Sequence, residues 1–148
     1  MIGALVKVDD SDVVNFLWHT EIIPSCLRIM ETGTELSRTV ACFIVQKILL
    51  DDVGLGHICQ TADRFFAISS TLGKMVAALV EQPSHRLLKH IIRCYLRLAE
   101  DAKARDALRL VLPASLQDNT FAEILKGDQA AVKWLVTLLR NVFPDNTQ

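Results

Sequence analysis

The residues best suited to chemistry are basic side chains on one helical segment, Ser84–Leu98. They are Arg86, Lys89, His90, Arg93 and Arg97. At 100° per residue they fall within a stripe roughly 100° wide, and apolar residues occupy most of the remaining surface. Clustered Arg and Lys side chains of this kind contact phosphates. The stripe therefore predicts a nucleic-acid-binding groove, which Arg105 and Arg109 in the next segment would extend.

A second interpretation of the same stripe is an ordinary solvated helix face. In that case some of its charges pair with Glu100, Asp101 or Asp106. The one aromatic residue of this segment, Tyr95, falls on its apolar side and not within the stripe, so the sequence predicts no platform on which bases would stack. The residues alone leave both interpretations open.

The other chemically active residue types do not form a recognisable site. His85 and His90 are not at the i, i+4 spacing of a helical zinc site, and the other histidines stand alone. The acid pairs Asp9–Asp10 and Asp51–Asp52 each precede a helical segment, where carboxylates act as caps. There is no G-x-S-x-G motif and no glycine-rich phosphate loop. We expect no enzymatic activity, no cofactor and no metal.

Three amphipathic helices that start roughly 45 residues apart predict the fold. They are Glu35–Leu50, Ser84–Leu98 and Gln129–Val142, and shorter helical segments precede each of them. A period of about 40–47 residues is typical of armadillo and HEAT repeats. The sequence therefore predicts an all-α, armadillo-type right-handed solenoid of about three helical repeats, with no sheet.

The intervening segments are marked by caps and breakers. The predicted pieces are Asp12–His19, a helix opened by Pro24 through Met30, Val53–Gln60, Ala62–Val80, a helix from the cap Asp101 to Leu112, a turn at Leu116–Asp118, and a short helix capped by Thr120 through Leu125. The apolar positions on the first and last long helices are Leu36, Val40, Phe43, Ile44 and Ile48, and Val132, Leu135, Val136, Leu139 and Val142. Trp18 and Trp134 lie on apolar faces, which predicts a packing role for both.

Composition places these helices in one domain, residues 1–143, followed by a frayed tail at 144–148. The net charge is only −1, but residues 1–83 carry 6 basic and 10 acidic residues, whereas 84–148 carry 10 and 7. The four cysteines are spread singly, which favours a reducing cytoplasmic or nuclear compartment. No apolar run approaches the length of about 20 residues that a membrane span needs.

Several runs resemble the required for cell differentiation (Rcd) family. They are Ile2–Lys7, Thr20–Pro24, Ile48–Asp52, Arg86–His90 and Arg93–Arg97. The family is the armadillo-repeat subunit of the CCR–NOT deadenylase complex. The resemblance implies a non-enzymatic adaptor in mRNA deadenylation and decay, which docks on the scaffold subunit and binds tryptophan-bearing peptide motifs of regulatory partners. The alternative is a module that binds RNA or single-stranded DNA through a basic groove.

The resemblance also implies site residues. The tryptophan-binding surface falls on Leu36, Thr39, Ala62, Arg64, Lys103 and Ala107. Ala62 stands where members often have Tyr, and Lys103 where they have Arg, which predicts weakened binding because an aromatic wall is lost and Lys stacks less well than Arg. The basic groove falls on Arg86, within the stripe that also holds Lys89, Arg93 and Arg97.

The family domain is about twice as long as this chain, and the additional part precedes Met1. The resemblance therefore predicts the C-terminal half of the armadillo domain, with the N-terminal repeats and much of the scaffold-docking surface absent. A solenoid end without its capping repeat exposes an apolar face. We expect this face to support a homodimer.

Overall fold

A computed structural model describes residues 22–60, 62–118 and 120–143, and within these ranges all regular structure is helical. The helices are α1 (Ile22–Thr32), α2 (Glu35–Leu50), α3 (Asp52–Gln60), α4 (Ala62–Glu81), α5 (His85–Leu98), α6 (Ala102–Val111), a 3₁₀ turn (Ala114–Leu116), α7 (Ala122–Leu125) and α8 (Gln129–Val142). The predicted helix Asp12–His19 and the predicted tail 144–148 lie outside the described residues.

The predicted starts of the long helices are confirmed, and a side chain caps each of them. The Thr34 side chain accepts a hydrogen bond from the Ser37 N–H at the start of α2. Ser84 begins α5 and Asp128 begins α8 in the same way. Each cap satisfies one of the N–H groups that the first turn of a helix leaves unpaired. Capping is local chemistry, which is why the sequence predicts these ends well.

One predicted detail is wrong. Thr120 does not cap α7, because its backbone N–H and its hydroxyl both bind the Asp118 carboxylate, and Phe121 stands at the cap position without a side-chain bond. The predicted turn at Leu116–Asp118 is present, and it continues a 3₁₀ turn that begins directly after Pro113. An Asx-type turn thus competes successfully with the helix cap for the same threonine.

The helices pack as two layers. Helices α2, α5 and α8 lie side by side and form the first layer, and α1, α4 and α6 form the second layer. Each helix of the first layer packs against one of the second, in the pairs α1–α2, α4–α5 and α6–α8. Three such pairs confirm an all-α helical repeat protein. No described helix has both the length and the apolar character needed to span a membrane.

The packing side of α2 differs from the apolar positions singled out in the sequence. Its buried residues are Ala41, Cys42, Val45, Ile48 and Leu49. Leu36, Val40 and Phe43 are instead 70%, 52% and 42% exposed. Apolar residues surround most of this helix, so periodicity alone could not tell which side packs against α1 and α5. On α8, Val132 and Val136 are likewise partly exposed.

Candidate functional site

A pocket lies between α4 and α6 in the second layer and has a volume of about 260 Å³. Its lining residues are Cys59, Gln60, Ala62, Phe65, Phe66, Lys103, Ala104 and Ala107. Binding pockets for small molecules usually enclose roughly 300–1,000 Å³. This pocket, called the α4–α6 pocket below, is therefore of a size to take a single large side chain.

The aromatic wall of the α4–α6 pocket comes from α4. Phe65 is buried in the core, and Phe66 beside it is 47% exposed. Their rings meet edge to face, with centroids 5.2 Å apart. Sequence analysis missed Phe66, although it stands one position off the apolar row formed by Phe65, Ile68 and Leu72. It provides an exposed ring in a pocket where Ala62 offers none.

The remaining walls are mostly uncharged. Burial, together with the Asp101 carboxylate, raises the pKa of the Cys59 thiol to about 12, although Arg97 acts in the opposite direction. The thiol is therefore neutral at physiological pH and contributes an apolar surface. Lys103 is exposed and is the one charged side chain in the lining. Gln60 supplies an amide oxygen that can accept a hydrogen bond.

The structure brings three of the six residues implied by the family resemblance into this lining: Ala62, Lys103 and Ala107. The Arg64 guanidinium lies outside it, with Nη1 3.1 Å from Nδ1 of His57, and it also donates to the His57 carbonyl. Leu36 and Thr39 lie on the first turns of α2 and line no part of the pocket. The Thr39 hydroxyl donates to the carbonyl of Glu35.

Three residues of the basic stripe on α5, the exposed Arg86 and the half-buried Lys89 and Arg93, are called the basic surface below. Within the described residues, neither Arg86 nor Arg93 forms an ion pair. Lys89 Nζ is 3.4 Å from a carboxylate oxygen of Asp128. Two cations thus stand without a carboxylate partner, and the third has only a long contact.

Arg97, the last residue of the predicted stripe, is not part of this surface. Its side chain is 12% exposed, and it forms ion pairs with Asp52 at 2.6 Å and Glu100 at 3.0 Å. Its Nε and Nη2 atoms donate to the carbonyls of Leu49 and Leu50, at 2.6 and 3.2 Å. Arg97 therefore caps the C-terminus of α2, where unpaired carbonyls attract a cation.

Arg109 has a similar role at the end of α8. Its Nε donates to the carbonyl of Val142 at 2.8 Å. Arg109 is nevertheless exposed, so its extension of the phosphate-binding stripe stays a prediction. Arg97 and Arg109 both donate hydrogen bonds to carbonyls at the C-terminus of a helix, although their spacing in the sequence predicts that they line a groove.

His90 connects the basic surface with α2. Its Nδ1 is 2.7 Å from Oε1 of Gln46, and its ring lies 5.7 Å from the ring of Phe43. Burial lowers the pKa of His90, and the nearby charges of Arg86 and Lys89 lower it further. Lys47 lies over the Phe43 ring at 5.4 Å. His90 is therefore held in its neutral form within a cationic neighbourhood.

Trp134 of α8 meets the basic surface from the other side. Lys89 Nζ and Arg93 Cζ lie 5.5 and 5.3 Å from the centre of its ring. The ring is half-buried and packs against the core, as expected for a packing residue. The one aromatic residue of α5, Tyr95, is buried away from the stripe, yet folding brings Trp134 to it from about 40 residues away.

Charge is distributed by layer. The helices of the first layer carry one acidic residue, Glu35, and eight Lys or Arg residues: Arg38, Lys47, Arg86, Lys89, Arg93, Arg97, Lys133 and Arg140. The helices of the second layer carry six Lys or Arg residues, which are Arg28, Arg64, Lys74, Lys103, Arg105 and Arg109, and four acidic residues, which are Glu31, Asp63, Glu81 and Asp106. The first layer therefore carries the larger excess of positive charge. Among the described residues, no three His, Cys, Asp or Glu side chains group as metal ligands would.

The stacked helix pairs define an all-α helical repeat protein, which has a side-chain-sized pocket on its second layer and a cationic surface on its first. Compared with known families, residues 1–142 match the cell differentiation family, Rcd1-like. The chain belongs to this family.

Two relatives are similar over almost the whole chain. Cell differentiation protein rcd1 of Schizosaccharomyces pombe is 60% identical over 142 residues, which are 96% of this chain and 50% of the relative. Protein CAF40 of Saccharomyces cerevisiae is 59% identical over 140 residues, which are 94% of this chain and 38% of the relative. The chain thus spans half or less of the length of these relatives.

Proposed function

We propose that this chain is a non-enzymatic adaptor of mRNA deadenylation and decay that binds tryptophan-bearing peptide motifs in the α4–α6 pocket. One observation carries the proposal. Ala62 of α4 and the pair Lys103 and Ala107 of α6, all three implied by the family resemblance for tryptophan binding, line one pocket.

The chemistry of the pocket supports an indole as its occupant. Tryptophan combines a large apolar ring with a single N–H donor. The small side chains of Ala62 and Ala107 leave room for the ring, and Phe66 presents an aromatic surface to it. Gln60 offers an acceptor for the indole N–H. Lys103 provides an ammonium group for the face of the ring, in the manner of a cation–π contact.

Calorimetric titration with a disordered peptide that carries two tryptophans tests the proposal. The wild type binds, and the affinity changes little at high salt because the ring is buried against uncharged walls. Ala107→Tyr fills the pocket and lowers the affinity by more than tenfold. Ala102→Tyr is the matched control, because Ala102 is an exposed residue of the same helix outside the lining. Equal affinity of wild type and Ala107→Tyr would contradict this site, as would binding of a peptide whose tryptophans are replaced by alanine.

The partners follow from the same proposal. The scaffold subunit of the CCR–NOT complex is the stable partner, tryptophan-bearing segments of regulatory proteins are the transient ones, and the assembly works in the cytoplasm and the nucleus. Retention of the scaffold subunit by the immobilised chain tests the first partner. A homodimer remains part of the proposal, and light scattering on the purified chain at increasing concentration tests it. A constant monomer mass would contradict the dimer.

A second function, binding of nucleic acid, is favoured by the basic surface. Arg86 and Arg93 have no carboxylate partner within the described residues, and the first layer carries one acidic helix residue against eight basic ones. Arg93→Glu should then weaken binding of an oligonucleotide by at least tenfold and reduce the dependence of log K on log salt by about one or more. Arg28→Glu makes the same charge change on the second layer and should have little effect. Equal effects of the two variants would contradict the surface.

A further inference from the structure

The ring of Trp134 lies beside the basic surface. The ring centre is 5.5 Å from Lys89 Nζ and 5.3 Å from Arg93 Cζ, so two phosphate-binding groups stand within about one nucleotide of an aromatic face. Arg86, Lys89 and Arg93 follow one another at about one helical turn, or roughly 5 Å. A cationic track beside an aromatic ring is the arrangement by which proteins hold single strands.

We propose that Trp134 is a base-stacking residue and that the basic surface consequently selects single-stranded nucleic acid with unpaired bases. This inference rests on the second function proposed above. In the free protein Lys89 and Arg93 lie against the ring, and both are groups that a phosphate attracts. When a strand binds, its phosphates draw these side chains away from the ring, and a base takes their place on it.

The exchange favours the bound strand. Each of the two cation–π contacts changes an equilibrium constant by roughly a factor of two to five, so losing both costs roughly a factor of four to twenty-five. Stacking of one base on an aromatic ring changes it by roughly a factor of five to a hundred or more. The phosphate contacts add to this gain. A double helix cannot make the same exchange, because its bases are already stacked on one another.

The basic surface would also attract an acidic polypeptide, but the position of Trp134 favours a nucleic-acid strand. An acidic segment would use Arg86, Lys89 and Arg93 alone and gain nothing specific from a flat ring between two of them. Bases offer a flat face at every nucleotide. The charge of the first layer, with Glu35 as its one acidic helix residue, suits either polyanion, so the ring decides between them.

The test compares strands that differ only in their bases. Oligothymidylate, oligouridylate and an abasic deoxyribose strand of equal length are titrated into the full chain, together with polyglutamate. The wild type should bind the two base-carrying strands about tenfold more tightly than the abasic strand, and polyglutamate no more tightly than the abasic strand. Trp134→Leu should bring this ratio close to one while leaving the abasic affinity and its salt dependence unchanged.

Trp134→Phe keeps a ring in the packing position and should give an intermediate ratio, which protects the test against misfolding of the Leu variant. The chain has two tryptophans, so Trp18→Phe leaves Trp134 as the sole emitter, and its fluorescence should be quenched by the base-carrying strands but not by the abasic one.

The inference is overturned if the wild type binds abasic and base-carrying strands equally, or if both Trp134 variants keep the wild-type ratio. It is also overturned if the Trp134 variants lose abasic binding to the same extent, since the ring would then only hold the two cations in place. Failure of the wild type to bind any strand at low salt would remove the second proposed function as well. That result would leave peptide binding in the α4–α6 pocket untouched.

Discussion

The α4–α6 pocket and the basic surface differ in how each is built. The pocket belongs to two helices of the second layer and a neighbouring segment of α3, and its lining contains one charged residue, Lys103, beside a neutral thiol. The basic surface draws on all three helices of the first layer, because Gln46, Phe43 and Trp134 approach α5 from both sides. The two proposals therefore place shape recognition on one layer and charge recognition on the other.

The difference explains why the bulk charge of −1 is uninformative. The sequence suggests an acidic first half and a basic second half, but the structure separates charge by layer, since α2 of the first half joins α5 and α8. Binding in the pocket should then be nearly independent of salt, and binding on the basic surface steeply dependent on it. Each prediction below changes one side of this contrast.

The largest effect is expected from replacing two arginines of α5, Arg97 and Arg93, one at a time. Arg97→Ala should lower the free energy of unfolding by about 2 to 3 kcal/mol, because two carbonyls at the end of α2 and two carboxylates lose a partner that is largely buried. Arg93→Ala should change stability by less than about 0.5 kcal/mol, since its contact is with the Trp134 ring at the surface. Urea unfolding of both variants measures the difference.

The same pair of variants should show the reverse order in binding. Arg93→Ala weakens the salt-dependent binding of an oligonucleotide, whereas Arg97→Ala, measured below its unfolding transition, leaves it close to wild type. Comparable stability losses in the two variants would show that Arg97 does not act as a helix cap. An equal loss of oligonucleotide affinity would return Arg97 to the basic surface.

The next effect concerns the missing wall of the α4–α6 pocket. Ala62→Tyr should raise the affinity for a tryptophan-bearing peptide by about fivefold, because an aromatic pair contributes about 1 kcal/mol beyond simple burial. Ala62 is exposed at the start of α4, so the larger side chain meets no core residue. Titration calorimetry measures the gain, with Ala102→Tyr as the control. A loss of affinity would mean that the new ring closes the pocket instead of lining it.

Much of the fold follows from local chemistry. Thr34, Ser84, Asp101 and Asp128 each cap a helix within three residues of themselves, and the predicted starts of α2, α5, α6 and α8 are correct for that reason. A period near 45 residues also predicts the repeated helix pairs, because each pair must bury its apolar side against the next.

The sites depend on contacts between distant residues, and the sequence predicts them less well. Nothing near Arg97 in the chain indicates that it binds carbonyls 47 and 48 residues away. Trp134 approaches Lys89 from another helix, so the absence of an aromatic beside the stripe was misleading. On α2, Leu36 and Phe43 are exposed because tertiary packing uses the opposite side. The residues of the α4–α6 pocket came from the family resemblance, and Phe66 became visible only in the structure.

A smaller effect is expected between the layers, at Tyr95. This α5 residue is fully buried, its hydroxyl has no hydrogen-bond partner within the described residues, and it faces Gly73 of α4. Burial also raises the pKa of Tyr95. Tyr95→Phe should raise the free energy of unfolding by up to about 1 kcal/mol, because it removes an unsatisfied polar group. Neither the peptide nor the oligonucleotide affinity should change. A clear destabilisation would show that the hydroxyl is hydrogen-bonded.

The smallest effect is the pH dependence of the free energy of unfolding that His90 of the first layer should produce. The pKa of His90 is lowered by burial and then by Arg86 and Lys89, so the unfolded state binds its proton more readily than the folded state. Stability should therefore fall as the pH decreases through the ordinary histidine range, from about pH 7.5 to about pH 5.5. His90 is partly solvated, so its share should not exceed about 1 kcal/mol. The pH dependence of urea unfolding, compared between wild type and His90→Gln, isolates this share because the two proteins differ at this residue alone.

Binding of an oligonucleotide should favour the protonated form of His90, whereas folding disfavours it. Phosphates near Arg86 and Lys89 offset the charges that disfavour protonated His90, so binding of an oligonucleotide should take up protons and tighten at lower pH. A peptide in the α4–α6 pocket lies on the other layer and should take up none through His90. Calorimetry in two buffers of different ionisation enthalpy measures the uptake, which His90→Gln should remove for the oligonucleotide alone. Uptake of the same size for both ligands would mean that the layers are electrostatically coupled, because the proton would then respond to either site.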